Sequence, residues 1–172
     1  PRETLRLVQK EDGIHCIGNK TPSLDVTDRM IRNAEEQHSW QQELCGYILK
    51  KDSPSCGMER VKVFGKGGMP SKDGVGIFAR ALLEKWPNLP VEEEGRLNDP
   101  RLRENFIDRI FAYYRWARLL EENPKPGELV RLHTGDKLTL MAHSPAHYQE
   151  MGRLVAAAGT SPWDDLARTY GS

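Results

Sequence analysis

The sequence predicts an α/β domain, with a mostly parallel sheet and flanking helices, followed by an all-α helical domain. Short β-rich segments alternate with helix-like ones over the first half of the chain, which is typical of an α/β layer. After Val91 the strand pattern stops, and apolar stripes at helical spacing take its place. We therefore predict a boundary at residues 95–100, with a partial α/β domain over residues 1–95 and a partial helical domain over residues 96–172.

Two strands and a helix are predicted at the start of the first domain. Residues 5–8 and 14–18 are short, β-rich segments separated by an Asp-Gly turn signal. After these strands, Asp25 or Thr27 is suited to cap a helix that we expect to reach about residue 43.

Two further strands are predicted on either side of a polar turn. CGYIL, at residues 45–49, is a continuous apolar run, which is typical of a strand covered on both faces. RVKVF, at residues 60–64, alternates as a half-exposed strand does. A helix is expected to begin at residue 73 and to end before Pro87, and a last short strand begins at Leu89.

Helical patterns fill the second domain. Asn98 or Asp99 is suited to cap a long helix with one apolar stripe, which ends at a Pro-rich segment. Two more helices are predicted at about residues 128–143 and 145–158, and a fourth begins near residue 161.

Composition excludes some classes of protein. The 172 residues carry no formal net charge, so a nucleic-acid ligand requires cations that are concentrated locally. No apolar run approaches the roughly 20 residues of a membrane span, so we expect no membrane insertion. The three cysteines lack CxxC spacing, which argues against a disulfide framework and a zinc site and favours a cytoplasmic location. The first segment, PRETLRLVQK, is interpreted as the result of an internal cut in a longer chain.

The turn KKDSPSCGM, at residues 50–58, is the leading candidate for a functional site. It follows an apolar strand, and ligands collect beyond the carboxyl ends of parallel strands. Its polar side chains include two hydroxyls and two ammonium groups, those of Ser53, Ser55, Lys50 and Lys51. With free backbone N–H groups, they are suited to bind an anion, to stabilise a Cys56 thiolate or to position a polar substrate. The alternative is an ordinary turn that happens to contain a cysteine.

Several stretches resemble a known family of bacterial proteins. CGYILKKDSPSCGMERVKVF, GMPSKDGVGIF and LPVEEEGRLNDPRLRENFIDRIFAYYRW are similar to the two-domain proteins of domain-of-unknown-function families 523 and 1722. The stretch from FAYYRW through LVRLHTGDKLTLMAHSPAHYQEMGRLVAAAG resembles the second of these families. The resemblance covers nearly the whole chain. It implies a thiouracil desulfidase, and the two-domain form resembles a tRNA 4-thiouridine desulfidase.

The resemblance also implies a cofactor and roles for the turn. The family carries a [4Fe-4S] cluster held by three cysteines, and Cys56 matches the last of these ligands. The fourth iron, free of protein ligands, acts as a Lewis acid on the sulfur of the substrate while water supplies oxygen, without net redox change. Ser53 and Ser55 are the implied catalytic hydroxyls, with Ser53 facing the substrate. Lys50 or Lys51 offsets the charge of the cluster or contacts a phosphate.

The chain departs from the family pattern in its other cysteines. The two remaining ligands belong to an ACLLG-like motif and to a CPE motif that precede the PRETLRLV-like segment, and neither motif is in this sequence. Cys16 and Cys45 do not match them and are interpreted as small core residues. We therefore expect a fragment that holds no stable three-cysteine cluster and is inactive alone, and we assign the enzymatic function to the full-length protein.

Basic residues of the second domain are candidates for substrate binding. The arginines of the junction and first helix are Arg96, Arg101, Arg103, Arg109, Arg115 and Arg118, with aromatic residues among them. Such a helix suits RNA phosphates and an unpaired base, and we select Arg109 as a substrate-binding residue. His133 and Lys137, four residues apart on one predicted helical face, are suited to hold a phosphate together. A solvated face with internal ion pairs, and histidines satisfied by packing, are the alternatives.

Three hypotheses of function follow. The leading one is iron–sulfur-dependent, non-redox removal of sulfur from 4-thiouridine in tRNA or from free thiouracil. The second is a non-catalytic RNA-binding or protein-interaction module. The third is an enzyme with Cys56 as nucleophile, which requires no metal.

Overall fold

The computed structural model describes residues 3–67, 69–121 and 125–171. The chain divides into two compact units, Pro1–Phe106 and Ile107–Ser172. The first is a mixed α/β unit and the second is helical, which confirms the predicted fold class. The division falls inside a long helix, whereas the sequence predicted a boundary at residues 95–100, before that helix begins.

The described part of the chain contains six strands. They are β1 (Leu5–Lys10), β2 (Gly13–Gly18), β3 (Tyr47–Leu49), β4 (Val61–Phe64), β5 (Ser71–Gly74) and β6 (Val91–Glu93). The helices of the first half are α1 (Thr27–Glu36), α2 (His38–Gln41) and α3 (Ile77–Lys85), and a 3₁₀ turn (Arg96–Asn98) precedes α4 (Pro100–Glu121). The second unit continues with α5 (Pro126–Gly135), α6 (Lys137–His143), α7 (Pro145–Ala156) and α8 (Trp163–Tyr170).

The strands form two sheets. Four of them lie in the order β2-β1-β4-β5, and the second sheet pairs β3 with β6. β1–β4 and β3–β6 are parallel, whereas β1–β2 and β4–β5 are antiparallel. The four-stranded sheet is therefore mixed rather than mostly parallel as predicted, whereas the two-stranded sheet is parallel. The physical reason is the length of the connections. Only a few residues join β1 to β2 and β4 to β5, and such short connections favour antiparallel neighbours, because parallel neighbours need a long crossover.

Two local predictions for the first unit were wrong. The helix that was predicted to begin at residue 73 begins at Ile77, because residues 71–74 form β5, where Lys72 lies opposite Lys62 of β4. Pairing with a neighbouring strand decides the conformation here, against a weak local preference. β3 was predicted to be covered on both faces. Leu49 is 1% exposed, but Ile48 on the opposite face is 56% exposed, because successive residues of a strand alternate between faces.

The core of the first unit covers one face of the four-stranded sheet. Leu7 and Cys16 lie opposite each other on β1 and β2, and both are 0% exposed. Val63 of β4 and Ile77 of α3 belong to the same buried cluster. The interpretation of Cys16 as a core residue agrees with this position, and burial raises the pKa of its thiol to about 11.

The second unit has a core of its own. Leu129, Val155 and Leu166, from α5, α7 and α8, pack together with Trp116 of α4. The single helix predicted over residues 128–143 was wrong, because α5 ends at Gly135 and α6 begins at Lys137. Among the described residues, no helix is both long enough and apolar enough to cross a membrane.

Candidate functional site

The serine-rich segment between β3 and β4 forms one compact turn. The Gly57 N–H donates to the Ser53 carbonyl oxygen at 2.8 Å, which closes a helix-like turn. Ser53 Oγ accepts hydrogen bonds from the backbone N–H groups of Ser55, at 3.2 Å, and Cys56, at 3.1 Å. The side chain of Ser53 therefore caps the turn as an N-cap serine caps a helix, and its hydroxyl proton is not used in these bonds.

The turn is attached to the beginning of α3. The Ile77 N–H donates to the Pro54 carbonyl oxygen at 3.0 Å, and the Ala79 N–H donates to the Ser55 carbonyl oxygen at 3.1 Å. These bonds satisfy two of the N–H groups that have no partner within a helix at its first turn. The backbone around Cys56 is consequently held by α3.

Glycines permit this close approach. The Gly76 N–H donates to the Gly57 carbonyl oxygen at 2.8 Å. A Cβ atom at Gly76 would overlap the Ser55 carbonyl group and would lie 2.7 Å from the Cys56 nitrogen. A Cβ atom at Gly57 would overlap the side chain of Val61. A larger residue at position 76 would push the turn away from α3, and one at position 57 would push it away from β4.

The glutamates at the end of β6 hold both ends of the turn. Glu93 is 2% exposed, and its Oε1 accepts from the Met58 N–H at 2.9 Å. Glu94 accepts from the Lys51 N–H at 2.8 Å and from Lys50 Nζ at 2.6 Å. The hydrogen bonds from Lys50 and Lys51 hold the pKa of the Glu94 carboxyl below its ordinary value.

A third glutamate of this group, Glu92, binds Arg96, which is one of the arginines that the sequence suggested for RNA contact. Arg96 Nε donates to Glu92 Oε1 at 2.7 Å, and its Nη1 donates to Glu59 Oε1 at 3.1 Å. The hydrogen bond to Glu92 raises the pKa of the Arg96 guanidinium. Arg96 is thus bound within the first unit and links the segment after the turn to β6.

Cys56 lies beside an aromatic group. Its thiol is free and half-buried. Burial raises the pKa of the Tyr47 phenol, and the negative charge of a Cys56 thiolate adds to this rise. The ring of Tyr47 lies 6.0 Å from that of Phe78 and 6.3 Å from that of Trp40. The Cys56 thiol therefore lies close enough to the Tyr47 phenol for their charges to interact, a relationship that the sequence reasoning did not identify.

A cleft of about 730 Å³ opens beside Ser55. Ser55 and Phe78 border it at the turn, and α1 contributes Arg29, Arg32 and Asn33. Its volume falls in the range of small-molecule sites, and its lining contains apolar and polar side chains in similar number. Of the two predicted catalytic hydroxyls, Ser55 is thus placed at a cleft, and Ser53 is placed inside the turn.

The cysteines of the chain do not converge. Cys16 is in the core, Cys45 is half-buried before β3, and Cys56 is in the turn. Over the described ranges, no group of three His, Cys, Asp or Glu side chains is arranged to hold a metal ion. These residues therefore do not fit a three-cysteine cluster, and Cys56 is its one candidate ligand in the turn.

The predicted substrate-binding residues of the second domain lie in the second unit. Arg109 is exposed on α4 and Lys137 is exposed at the start of α6. His133 is 6% exposed and stacks on Tyr148 with ring centroids 5.0 Å apart. Its Nδ1 lies 3.3 Å from the Tyr170 hydroxyl, and burial lowers the pKa of the imidazole. The prediction that His133 and Lys137 share one helical face was wrong, since the helix is interrupted between them.

Sequence reasoning missed two groups of residues at the turn. Glu93 and Glu94 were interpreted only as the end of a strand, although glutamate is depleted in strands and is seldom buried without a partner, so a run of glutamates there is a signal for bound carboxylates. Tyr47 was interpreted only as part of an apolar run. Its proximity to Cys56 depends on the path of the chain between them.

Fold and site define an α/β protein in which a thiol-bearing turn follows a parallel strand and is fixed by a helix and by carboxylates. The family model of 2-thiouracil desulfurase matches residues 1–94, more than half of the chain. The protein therefore belongs to the 2-thiouracil desulfurase family, which supports a role in desulfuration. Residues 137–172 match the model of a protein family of unknown function, DUF1722. No curated protein and no solved structure matches the chain.

Proposed function

We propose that the protein removes sulfur from a thiolated pyrimidine, either 4-thiouridine in tRNA or free thiouracil, at the turn of residues 53–57. The observation that carries this proposal is the Ser53 hydroxyl, which two backbone N–H groups hold beside Cys56 in a chain of the 2-thiouracil desulfurase family. The turn borders a cleft in which Phe78 and aliphatic side chains lie among polar ones, a combination that suits a planar pyrimidine ring with polar edges.

The reaction is a hydrolysis. Water adds its oxygen to the thiocarbonyl carbon, the carbon–sulfur bond breaks, and a carbon–oxygen double bond replaces it. The two protons of water leave with the sulfur as hydrogen sulfide. No electron is gained or lost, so the balance requires neither an oxidant nor a reductant.

Ser53 is suited to orient the reactants in this reaction. Because its oxygen accepts from two N–H groups, its hydroxyl proton is available for a bond to the pyrimidine or to the attacking water. Donation of those N–H groups also polarises the O–H bond and strengthens it as a donor. Ser55, at the cleft, is suited to bind a polar edge of the pyrimidine.

The two lysines have different positions in the proposal. Lys50 is bound to Glu94 at 2.6 Å, so its charge is largely compensated. Lys51 gives only its backbone N–H to Glu94, and its exposed ammonium group is the better candidate for a substrate phosphate. The roles of Arg109, His133 and Lys137 in substrate binding stay predictions.

We further propose Cys56 as one ligand of an iron–sulfur cluster in the full-length protein. Such a cluster supplies an iron that acts as a Lewis acid toward sulfur. The described residues bring no second and third cysteine to Cys56.

The test uses the full-length protein, purified without oxygen. Conversion of 4-thiouridine in tRNA and of 2-thiouracil is followed by loss of thiocarbonyl absorbance and by release of sulfide. We expect Cys56→Ala to abolish conversion, whereas Cys45→Ala, at a half-buried position outside the turn, retains it. Equal activity of Cys56→Ala and the wild type would overturn the assignment of the turn. Iron content, measured on the same samples, tests the cluster separately.

A further inference from the structure

Three cations form a row across the outer face of the four-stranded sheet. Lys62 of β4 lies directly opposite Lys72 of β5. Leu7 of β1 is paired with Val63 of β4, and both are in the core, so the preceding residues, Arg6 and Lys62, are neighbours on the opposite face. Strands lie about 4.8 Å apart, so the row extends over about 10 Å across three strands.

This row is electrostatically unfavourable without a ligand. Like charges directly opposite each other on antiparallel strands destabilise a sheet. Within the described residues, none of the three cations forms an ion pair, and the buried Nε of Arg6 has no hydrogen-bond partner. The Arg6 guanidinium instead lies 5.5 Å from the centroid of the Phe64 ring, on the same face. An anionic ligand would compensate the repulsion.

Asp25 and Glu11 are bound by other cations, and Asp73, which follows Lys72 on β5, accepts a hydrogen bond from the Ser71 hydroxyl at 2.5 Å. Asp25 accepts from Lys10 Nζ at 2.8 Å and from the His15 ring at 2.7 Å. Glu11 accepts from Lys66 at 3.3 Å. The pairs of Asp25 and Glu11 lie toward the turn between β1 and β2, several residues along the strands from Arg6 and Lys62.

We propose that this face binds the phosphate backbone of a single-stranded RNA segment. The row of Arg6, Lys62 and Lys72 is longer than one phosphate group, which favours a chain of phosphates over a single one. Phe64 and Val8, paired on the same face, provide an apolar patch on which a base can stack. The choice of RNA among polyanions rests on the proposed action on a thiolated pyrimidine, whereas the cationic row is independent of that activity.

The experiment measures binding of a fluorescently labelled oligouridylate to the purified chain as a function of salt concentration. The test variant is the double substitution Lys62→Gln with Lys72→Gln. The control is Lys20→Gln with Lys85→Gln, which removes the same charge from exposed positions outside this face. We expect the test variant to bind more weakly and to lower the slope of log K against log salt by about 1.4, or about 0.7 for each phosphate that a lysine no longer neutralises. The control is expected to keep the wild-type slope.

A conservative variant separates stacking from charge. Phe64→Leu keeps an apolar side chain and is expected to weaken binding without a change in the salt slope. An unchanged slope in the double lysine variant, or an equal loss in the control, would overturn the proposal. Competition by uridine monophosphate at the same phosphate concentration as the oligonucleotide would also overturn it, because the face would then take a single phosphate.

These outcomes are distinct from those of the desulfuration test. A full-length protein that binds RNA through these lysines but releases no sulfide contradicts the proposed function alone. A protein that releases sulfide but binds RNA equally well without Lys62 and Lys72 contradicts the RNA surface alone.

Discussion

The Glu93 carboxylate accepts a hydrogen bond from the Met58 N–H at 2.9 Å, across 35 positions of sequence. This bond joins the end of β6 to the end of the cysteine-bearing turn. Glu94 binds the start of the same turn through Lys51, so two consecutive glutamates define the position of its two ends. The turn is thereby fixed from β6 as well as from α3.

Replacement of Glu93 is expected to destabilise the first unit. Glu93→Ala leaves the half-buried Met58 N–H without its acceptor, which costs up to about 1–3 kcal/mol in the free energy of unfolding. Glu93→Gln keeps an acceptor oxygen and is expected to lose less. Urea unfolding measures both variants, with Glu84→Ala on the exposed face of α3 as control. Equal losses for Ala and Gln would show that the hydrogen bond is not the source of the effect.

Gly76→Ala is expected to displace the turn. The added methyl group overlaps the Ser55 carbonyl group, and overpacking of this kind costs about 1–3 kcal/mol. Gly65→Ala, at a position with nothing within 4 Å of the added atom, is the matched control in the same unit. Thermal unfolding compares the two. The idea of a close-packed turn fails if both variants unfold at the same temperature.

Two substitutions of Ser53 distinguish its structural role as a cap of the turn from its proposed role in the reaction. Ser53→Ala removes the acceptor of two N–H groups and is expected to cost about 0.5–2 kcal/mol of stability and to abolish desulfuration. Ser53→Asn restores a capping oxygen but has no hydroxyl. We expect it to recover stability without recovering activity. Full activity in Ser53→Asn would contradict a role for the hydroxyl proton.

The stability of the second unit is expected to fall on acidification because of His133. Burial lowers the pKa of this imidazole below its ordinary value of 6.5, so the folded state binds fewer protons than the unfolded state. The stabilisation is present above pH 6.5 and is lost as the pH falls toward the pKa of the folded state. Urea unfolding above and below that pH measures the change.

Two substitutions of histidine assign this pH dependence. His133→Phe keeps a ring to stack on Tyr148 and is expected to flatten the dependence. His147→Gln, at an exposed position of α7, is expected to retain it. The reverse result would assign the titration to another group.

Lys62→Glu is expected to stabilise the first unit while it weakens RNA binding. The new carboxylate lies opposite Lys72, and replacement of a like-charge pair by an opposite-charge pair contributes about 0.2–1 kcal/mol. Lys20→Glu, outside this face, is the control. Thermal unfolding at low salt and oligouridylate binding are measured on the same samples. A loss of stability would argue that Lys62 has a favourable partner.

The sequence by itself determined the features that depend on neighbouring residues. The apolar stripe of α4, the strands on either side of Asp12-Gly13 and the Ser-Pro-Ser-Cys-Gly turn after β3 are all local patterns, and each is present in the structure. The interpretation of Cys16 as a core residue followed from its apolar strand and agrees with its complete burial.

Tertiary structure alone decided the features that depend on distant residues. β5 forms because β4 supplies its main-chain partners, although its own residues are polar. Ile48 is exposed because β3 has alternating faces, and no local pattern states which faces will be covered. The bond from Met58 to Glu93 and the proximity of Tyr47 to Cys56 arise from the path of the chain. Long-range contacts of this kind depend on packing of the whole unit, which local propensity does not encode.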